Sequence, residues 1–167
     1  MLLSSTESTA VFFDGSNHFA AIKSVNLSFN YKVFKDYLSQ RTKLLRLYFY
    51  TALSPSNKGL KALLDFLEYN GYEVFQKATK EFSDGKIKGN VDLDLALSCI
   101  DMAPYLDHFI LATGDSDFIP LVKSLKRKGK KVSILSTKKG IPQILSDDLL
   151  RLADNFYDLK DLPSEVT

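Results

Sequence analysis

Short apolar, β-rich runs alternate with amphipathic stretches of helical period along this chain, and that alternation leaves few folds open. "TAVFFD" (9–14), "LLRLYFYTA" (44–52), "YEVFQKA" (72–78), "DHFILAT" (107–113) and "KKVSILS" (130–136) read as strands, with "NFYDL" (155–159) a last short one. Between them "YKVFKDYLSQ" (31–40), "NKGLKALLDFLEYNG" (57–71), "NVDLDLALSCIDMAP" (90–104), "DFIPLVKSLKRKG" (117–129) and "IPQILSDDLLRLAD" (141–154) read as helices, several with glycine, asparagine or proline stops. "TKEFSDGKIKG" (79–89) is polar and glycine-containing and reads as a loop. Strands separated by helices predict one α/β domain over 1–167, a mainly parallel sheet covered on both faces, with a core at about 10–160 and short flexible termini.

Composition narrows the function classes. At 167 residues, 45% hydrophobic and 25% charged, the chain is long enough to bury a core and ordinary for a globular protein. A single cysteine, Cys99, allows no internal disulfide, and with only His18 and His108 beside it a structural zinc site is close to excluded. No apolar run approaches the roughly 20 residues of a membrane span. The start "MLLSSTESTA" lacks a basic, apolar leader, so a cytoplasmic location is expected. Net charge is only +2, yet between Phe118 and Ser146 there is no acid and eight cations: Lys123, Lys126, Arg127, Lys128, Lys130, Lys131, Lys138 and Lys139.

Ligands of open parallel sheets bind beyond the carboxyl ends of strands, where strand order reverses. Two predicted strands end in an acid–glycine turn: the first in "FFDGSN", with Asp14, and the one at 107–113 in "TGDSD", with Asp115 and Asp117. Ser16 or Asn17 can cap a following helix. Thr113 and Asp115 share a side of the strand end by period-two geometry. In "KGNVDLDLAL", Asp92 falls in the first helical turn, while Asp94 lies about 200° further round. Asp94 shares a face with Ser98 and Asp101 that reads as solvent-facing, so Asp92 is the better ligand. Singly, Asp117 is a helix cap and Asp92 a dipole-favoured first-turn acid. Converging at a sheet tip, such carboxylates repel one another without a cation, and their hard oxygens suit Mg²⁺ or Mn²⁺.

These segments, "VFFDGSN", "KGNVDLDLAL" and "ATGDSDFIPLVKSLKRKGKKVSILST" followed by "LSDDLLRLADNFYDL", resemble the NYN domain family and in particular its LabA-like branch, in order over roughly 10–160. The resemblance implies a PIN-like nuclease: a Rossmann-like three-layer α/β/α sandwich, sheet order 3-2-1-4-5, with an acidic metal site. It places the family's acids on Asp14, Asp92, Asp115 and Asp117. Asn17 and Thr113 fall on the family's asparagine and small hydroxyl residue. Ser116 stands where many relatives have glycine, and Ser98 where the family often has a further acid.

The expected function is then a metal-dependent ribonuclease, the choice of RNA resting on the resemblance alone. The alternative is a non-catalytic RNA-binding or regulatory module on the same fold. A homo-oligomer or a protein partner is compatible with either. The basic run reads either as a solvated helix face or as a phosphate track leading to the acids, formed by Lys123, Lys126, Arg127, Lys138 and Lys139 with Lys86 and Lys88 beside the site. Other Rossmann-like phosphotransfer scaffolds fail at named residues. "DGSN" lacks the second acid of haloacid-dehalogenase enzymes, the order of acids does not fit a receiver domain, and a Toprim-like domain wants Glu where Asp14 stands. His18 and His108 read as packing or surface residues, and Cys99, Tyr48, Phe49 and Tyr50 as core.

Overall fold

The computed structural model describes residues 1–54, 56–78, 80–81, 87–88 and 91–167, the pairs 80–81 and 87–88 by backbone alone. Six parallel strands form one sheet: β1 (Ser8–Asp14), β2 (Lys43–Leu53), β3 (Glu73–Ala78), β6 (His108–Ala112), β7 (Lys131–Ser136) and β8 (Asn155–Asp158). Two short strands, β4 (Lys80–Glu81) and β5 (Ile87–Lys88), pair antiparallel apart from it. They stand within the stretch expected to be a loop. The sheet order is β3-β2-β1-β6-β7-β8. Counting the large sheet's strands alone, this is 3-2-1-4-5-6, the expected order with the last short strand added at the edge.

Every residue of β6, and all of β1 after Ser8, is buried. That is why both read as unbroken apolar runs: a central parallel strand packs on both faces. Phe12, Tyr48, Tyr50, Phe109 and Leu111 point to one face and pack with Leu95 and Cys99 of α4 (Asp92–Met102), Val122 and Leu125 of α5 (Ile119–Arg127) and Leu149 of α6 (Asp147–Leu152). Val11, Phe13, Phe49 and Ile110 point to the other and meet Ala21 of α1 (Gly15–Ser24), Phe34 and Leu38 of α2 (Tyr31–Ser39), and Leu64 and Leu67 of α3 (Lys58–Tyr69). Burying a side chain of this kind contributes about 1.5–3 kcal/mol, so these two layers are what hold the sheet. Val166 is also buried on the second face, and Asn30 N–H donates to its carbonyl at 2.7 Å.

Three elements differ from the sequence reading. The chain enters α1 immediately after β1, with Asp14, not Ser16 or Asn17, as the N-cap: its carboxylate accepts from Asn17 N–H. The helix expected over 141–154 is confined to Asp147–Leu152, capped by Ser146. Pro142 disfavours helical backbone at Ile141, and Ser146 N–H is drawn to the Gly114 carbonyl at 2.8 Å. The helix expected from 117 opens as a 3₁₀ turn, Ser116–Phe118, before α5. Among the described residues, no helix is long and apolar enough to cross a membrane.

Candidate metal centre

β1 and β6 lie side by side, and from them the chain winds outward in opposite directions. Their carboxyl ends are therefore the point where strand order reverses, and both acid–glycine turns meet there. Glycine is required in each. A Cβ on Gly15 would lie 2.8 Å from the Phe49 ring and from the Tyr50 carbonyl oxygen. One on Gly114 would lie 2.5 Å from the Ile144 carbonyl oxygen. Helix α1 can thus start hard against β2, and the 137–146 segment can press on the turn after β6.

Side chains then bind the two turns together. Thr113 Oγ donates to Asp14 Oδ2 at 3.0 Å and accepts Asp115 N–H at 3.1 Å. Asn17 Oδ1 accepts Gly114 N–H at 2.8 Å. Asp14 also accepts the Ser16 hydroxyl at 3.1 Å and Asn17 N–H at 3.3 Å. It is only 3% exposed. Burial pushes its carboxyl above the ordinary range; the hydrogen bonds from Asn17, Thr113 and Ser16 oppose this, and the nearby Asp115 charge adds to it.

In front of Asp14 stand three more carboxylates. Asp115 caps the 3₁₀ turn by accepting Asp117 N–H at 2.9 Å, which aims its second oxygen elsewhere. Asp117 follows within that turn and is exposed, as is Ser116. Asp92 opens α4, where the helix N-terminus favours negative charge. One oxygen from each of Asp92, Asp115 and Asp117 lies within 4.8 Å of the others. An ion at about 2.1 Å from its ligands holds neighbouring oxygens ~3 Å apart and opposite ones ~4.2 Å apart, so small side-chain adjustments would let the three share one hard divalent cation. The structure brings these three together and sets Asp14 behind them, joined through Thr113. Asp94 points away to an ion pair with Lys77 of β3.

The basic residues are divided. Helix α5 runs back along the sheet, so its cationic end lies near the start of β7, at the opposite edge from the acids. There Lys126 pairs with Asp154 at 2.9 Å and donates to the Leu152 carbonyl, leaving it committed to structure, with exposed Arg127 beside it. Lys138 and Lys139 follow β7 on the acids' side, where the Lys138 ammonium sits 4.8 Å over the Phe156 ring. Lys123 lies exposed midway along α5. Lys86 and the Lys88 side chain lie outside the described residues.

Both histidines are interior. His18 packs edge-on against Phe13 and Phe29, and burial lowers its pKa to about 3. His108 Nε2 meets Ser133 Oγ at 2.7 Å, and its Nδ1 lies 3.6 Å from Glu7. Two features went unread in the sequence. One is the Asn17–Gly114 link, for which no local signal exists. The other is an apolar groove beside the acids between α4 and α5, signalled by leucines on opposite faces of α4, Leu93 and Leu97 against Leu95.

A doubly wound parallel sheet with clustered acids at its switch point defines a Rossmann-like α/β protein with a candidate cation centre. Within that class, the chain belongs to the NYN domain family, whose profile matches residues 8–160. It is 27% identical over 166 residues to the low amplitude and bright protein LabA of Synechococcus elongatus, covering 94% of this chain and 86% of that one. An uncharacterized protein of Methanocaldococcus jannaschii is 27% identical over 95 residues, 53% of this chain and 40% of its own. A crystal structure of a protein of unknown function from Vibrio parahaemolyticus superposes with a TM-score of 0.79 at 28% identity, covering 96% of this chain and 98% of that one.

Proposed function

We propose that this protein is a metal-dependent ribonuclease that hydrolyses phosphodiester bonds with Mg²⁺ or Mn²⁺ held at the acid cluster. NYN family membership suggests ribonuclease activity, and the approach of the Asp92, Asp115 and Asp117 oxygens to within 4.8 Å carries the reading to these residues. Three like charges at that spacing are costly unless a cation offsets them. A bound divalent ion would acidify a water and balance charge on the phosphoryl oxygens.

The chain's own groups do the holding. Asp115 is fixed by the Thr113 hydroxyl at its backbone and by Asp117 N–H at its carboxylate, so its position is set before any substrate arrives. Asp92 comes from a different element, which lets α4 and the β6 turn grip from two sides. Asp117, exposed, is placed to take a ligand position or to orient the attacking water. Asp14 contributes negative potential from behind and, through Thr113 and the Asn17 bridge, keeps the turn in register. A direct ligand role for Asp14 requires one of its hydrogen bonds to open.

The test is cleavage of a labelled single-stranded RNA with Mn²⁺ or Mg²⁺ against EDTA, with Asp115→Asn as comparison. Loss of a partner outside the ligand set typically costs 10–100-fold, so loss of a ligand should cost on the order of 100-fold or more. Equal background from both proteins, each folded and tried on several RNAs, would sink the enzymatic reading in favour of an RNA-binding or regulatory module.

A further inference from the structure

The sheet ends at β3, and among the described residues no strand pairs with its outer side. Alternate residues of such an edge turn their N–H and C=O groups outward, a template for another strand unless proline, a bulge or a covering element blocks it. β3 contains no proline and pairs with β2 in unbroken register from Glu73 to Ala78. Five of its six residues are exposed, so its outer side is open. Phe75 is also the end of an aromatic row. Ring contacts run from Phe109 of β6 through Phe12 and Tyr48 to Phe75, which stacks on Tyr50 at 4.8 Å. The row crosses four strands and stops at a ring that is 39% exposed.

The pattern of this edge suits a second copy of itself. A two-fold axis perpendicular to the sheet joins two copies of β3 antiparallel. Opposite residues in such a pair share a face, so the axis passes through a residue and not between two. Placed at Phe75, it sets ring against ring, Val74 against Gln76, and Glu73 against Lys77 of the other copy, twice over. Moved by one residue, it sets Phe75 against Glu73 or Lys77, and the charges lose their match. Glu73 accepts from Arg46 at 2.8 Å and Lys77 pairs with Asp94, yet both side chains are about half exposed. A carboxylate and an ammonium each keep further hydrogen-bonding capacity. Helix α3 repeats the match. Lys61 lines a cleft with Gln76, Lys77 and Ala78, so that flank of the helix lies toward β3. Glu68 stands two turns further along the same flank. A two-fold copy runs the other way and brings its Glu68 toward Lys61. The two acid clusters would then open at opposite edges of the joined sheet.

We propose that the protein forms a two-fold dimer through β3, centred on Phe75, which joins two six-stranded sheets into one. One strand pair with its flanking helices falls at the small end of specific interfaces, so a dissociation constant of roughly 10–100 μM is expected. The test is sedimentation of the full chain up to roughly 200 μM, well into that range. Glu73→Lys sets a lysine against Lys77 of the other copy, and Lys77→Glu sets a glutamate against Glu73. Each should weaken the dimer about tenfold or more. Mixing the two single variants in equal amounts should bring the dimer back, because every altered side chain then faces its opposite charge. Neither a loss of fold nor the loss of the Arg46 or Asp94 pair can produce that recovery. The proposal fails if the chain stays monomeric throughout, which leaves the edge to a strand of some other protein. It fails equally if the single variants dimerise as tightly as the unaltered chain, or if the mixture associates no better than either alone. A dimer abolished by Leu97→Glu and by neither charge variant would overturn it too, placing the contact between α4 and α5.

Discussion

The two edges of the sheet treat charge in opposite ways. At the amino-terminal edge, charged groups come in matched pairs, Lys131 with Glu7 at 3.1 Å and Lys126 with Asp154 at 2.9 Å, beside a neutral His108 that meets Ser133. At the carboxyl-terminal edge, Asp14, Asp92, Asp115 and Asp117 gather with one sign. Both edges are built by the same parallel strands and similar turns, so the contrast is not forced by the fold. Paired charges tie elements together at one edge, while at the other one oxygen from each of three carboxylates lies within 4.8 Å of the others.

Asp115→Asn separates the two edges most sharply. Asparagine caps as well as aspartate and removes one of the repelling charges, so the loss of RNA cleavage should come with unchanged or slightly raised stability in urea. A fall in both together would mean that the cluster is structural and the contrast is wrong. Thr113→Val comes next. It takes a hydrogen bond from buried Asp14 and the acceptor from Asp115 N–H, which should cost about 1–3 kcal/mol and slow cleavage about 10–100-fold. A variant that unfolds more easily yet cuts at the normal rate would show that Asp14 and its bridge do not serve the acids.

Smaller effects probe the interior and the paired edge. Burial holds His18 neutral with a pKa of about 3, and burial aided by Lys131 holds His108 at about 4. The unfolded chain takes up protons at these residues near pH 6.5, so below that pH the unfolded state binds more protons than the folded one. Stability is full above pH 6.5 and falls as pH drops toward the folded values, by up to about 2 kcal/mol per histidine at pH 5. Urea titrations at pH 7 and pH 5 should show the loss, and His18→Leu should remove about half of it. Lys126→Ala should have the least effect, at most about 1 kcal/mol for a pair about a third exposed, with RNA cleavage unaltered. A large loss of RNA affinity there would extend the functional surface to the opposite edge.

Much of the fold was legible because doubly buried strands leave an unmistakable trace. β1 and β6 have no solvent face and so read as apolar runs wherever they are met. A helix after β1 was expected with Ser16 or Asn17 as its cap, and the cap was misplaced because Asp14 ends a strand and caps a helix at once, leaving no loop to announce the change. The 141–154 reading overran because period alone cannot register that Gly114 draws Ser146 into a tertiary contact. For the acids, strand-end position singled out Asp14 and Asp115, and the 200° argument separated Asp92 from Asp94, which the structure turns toward Lys77. That Asp14 stands behind the other three was not legible. It depends on a Thr113 hydroxyl, whose direction no spacing rule encodes.

Thr113 and Asp14 touch across a sequence separation of 99 residues, and this orders events during synthesis. Strands β1, β2 and β3 are neighbours both in the chain and in the sheet, so that half can pair early, with short loops to close. The β1–β6 pairing closes a far longer loop and comes at greater entropic cost. Until it forms, Asp14 has no Thr113 to bind and Asp92, Asp115 and Asp117 have no common place to meet. A chain still emerging from the ribosome would thus carry its first three strands before any acid cluster exists, and the cluster would assemble only with the second half of the sheet.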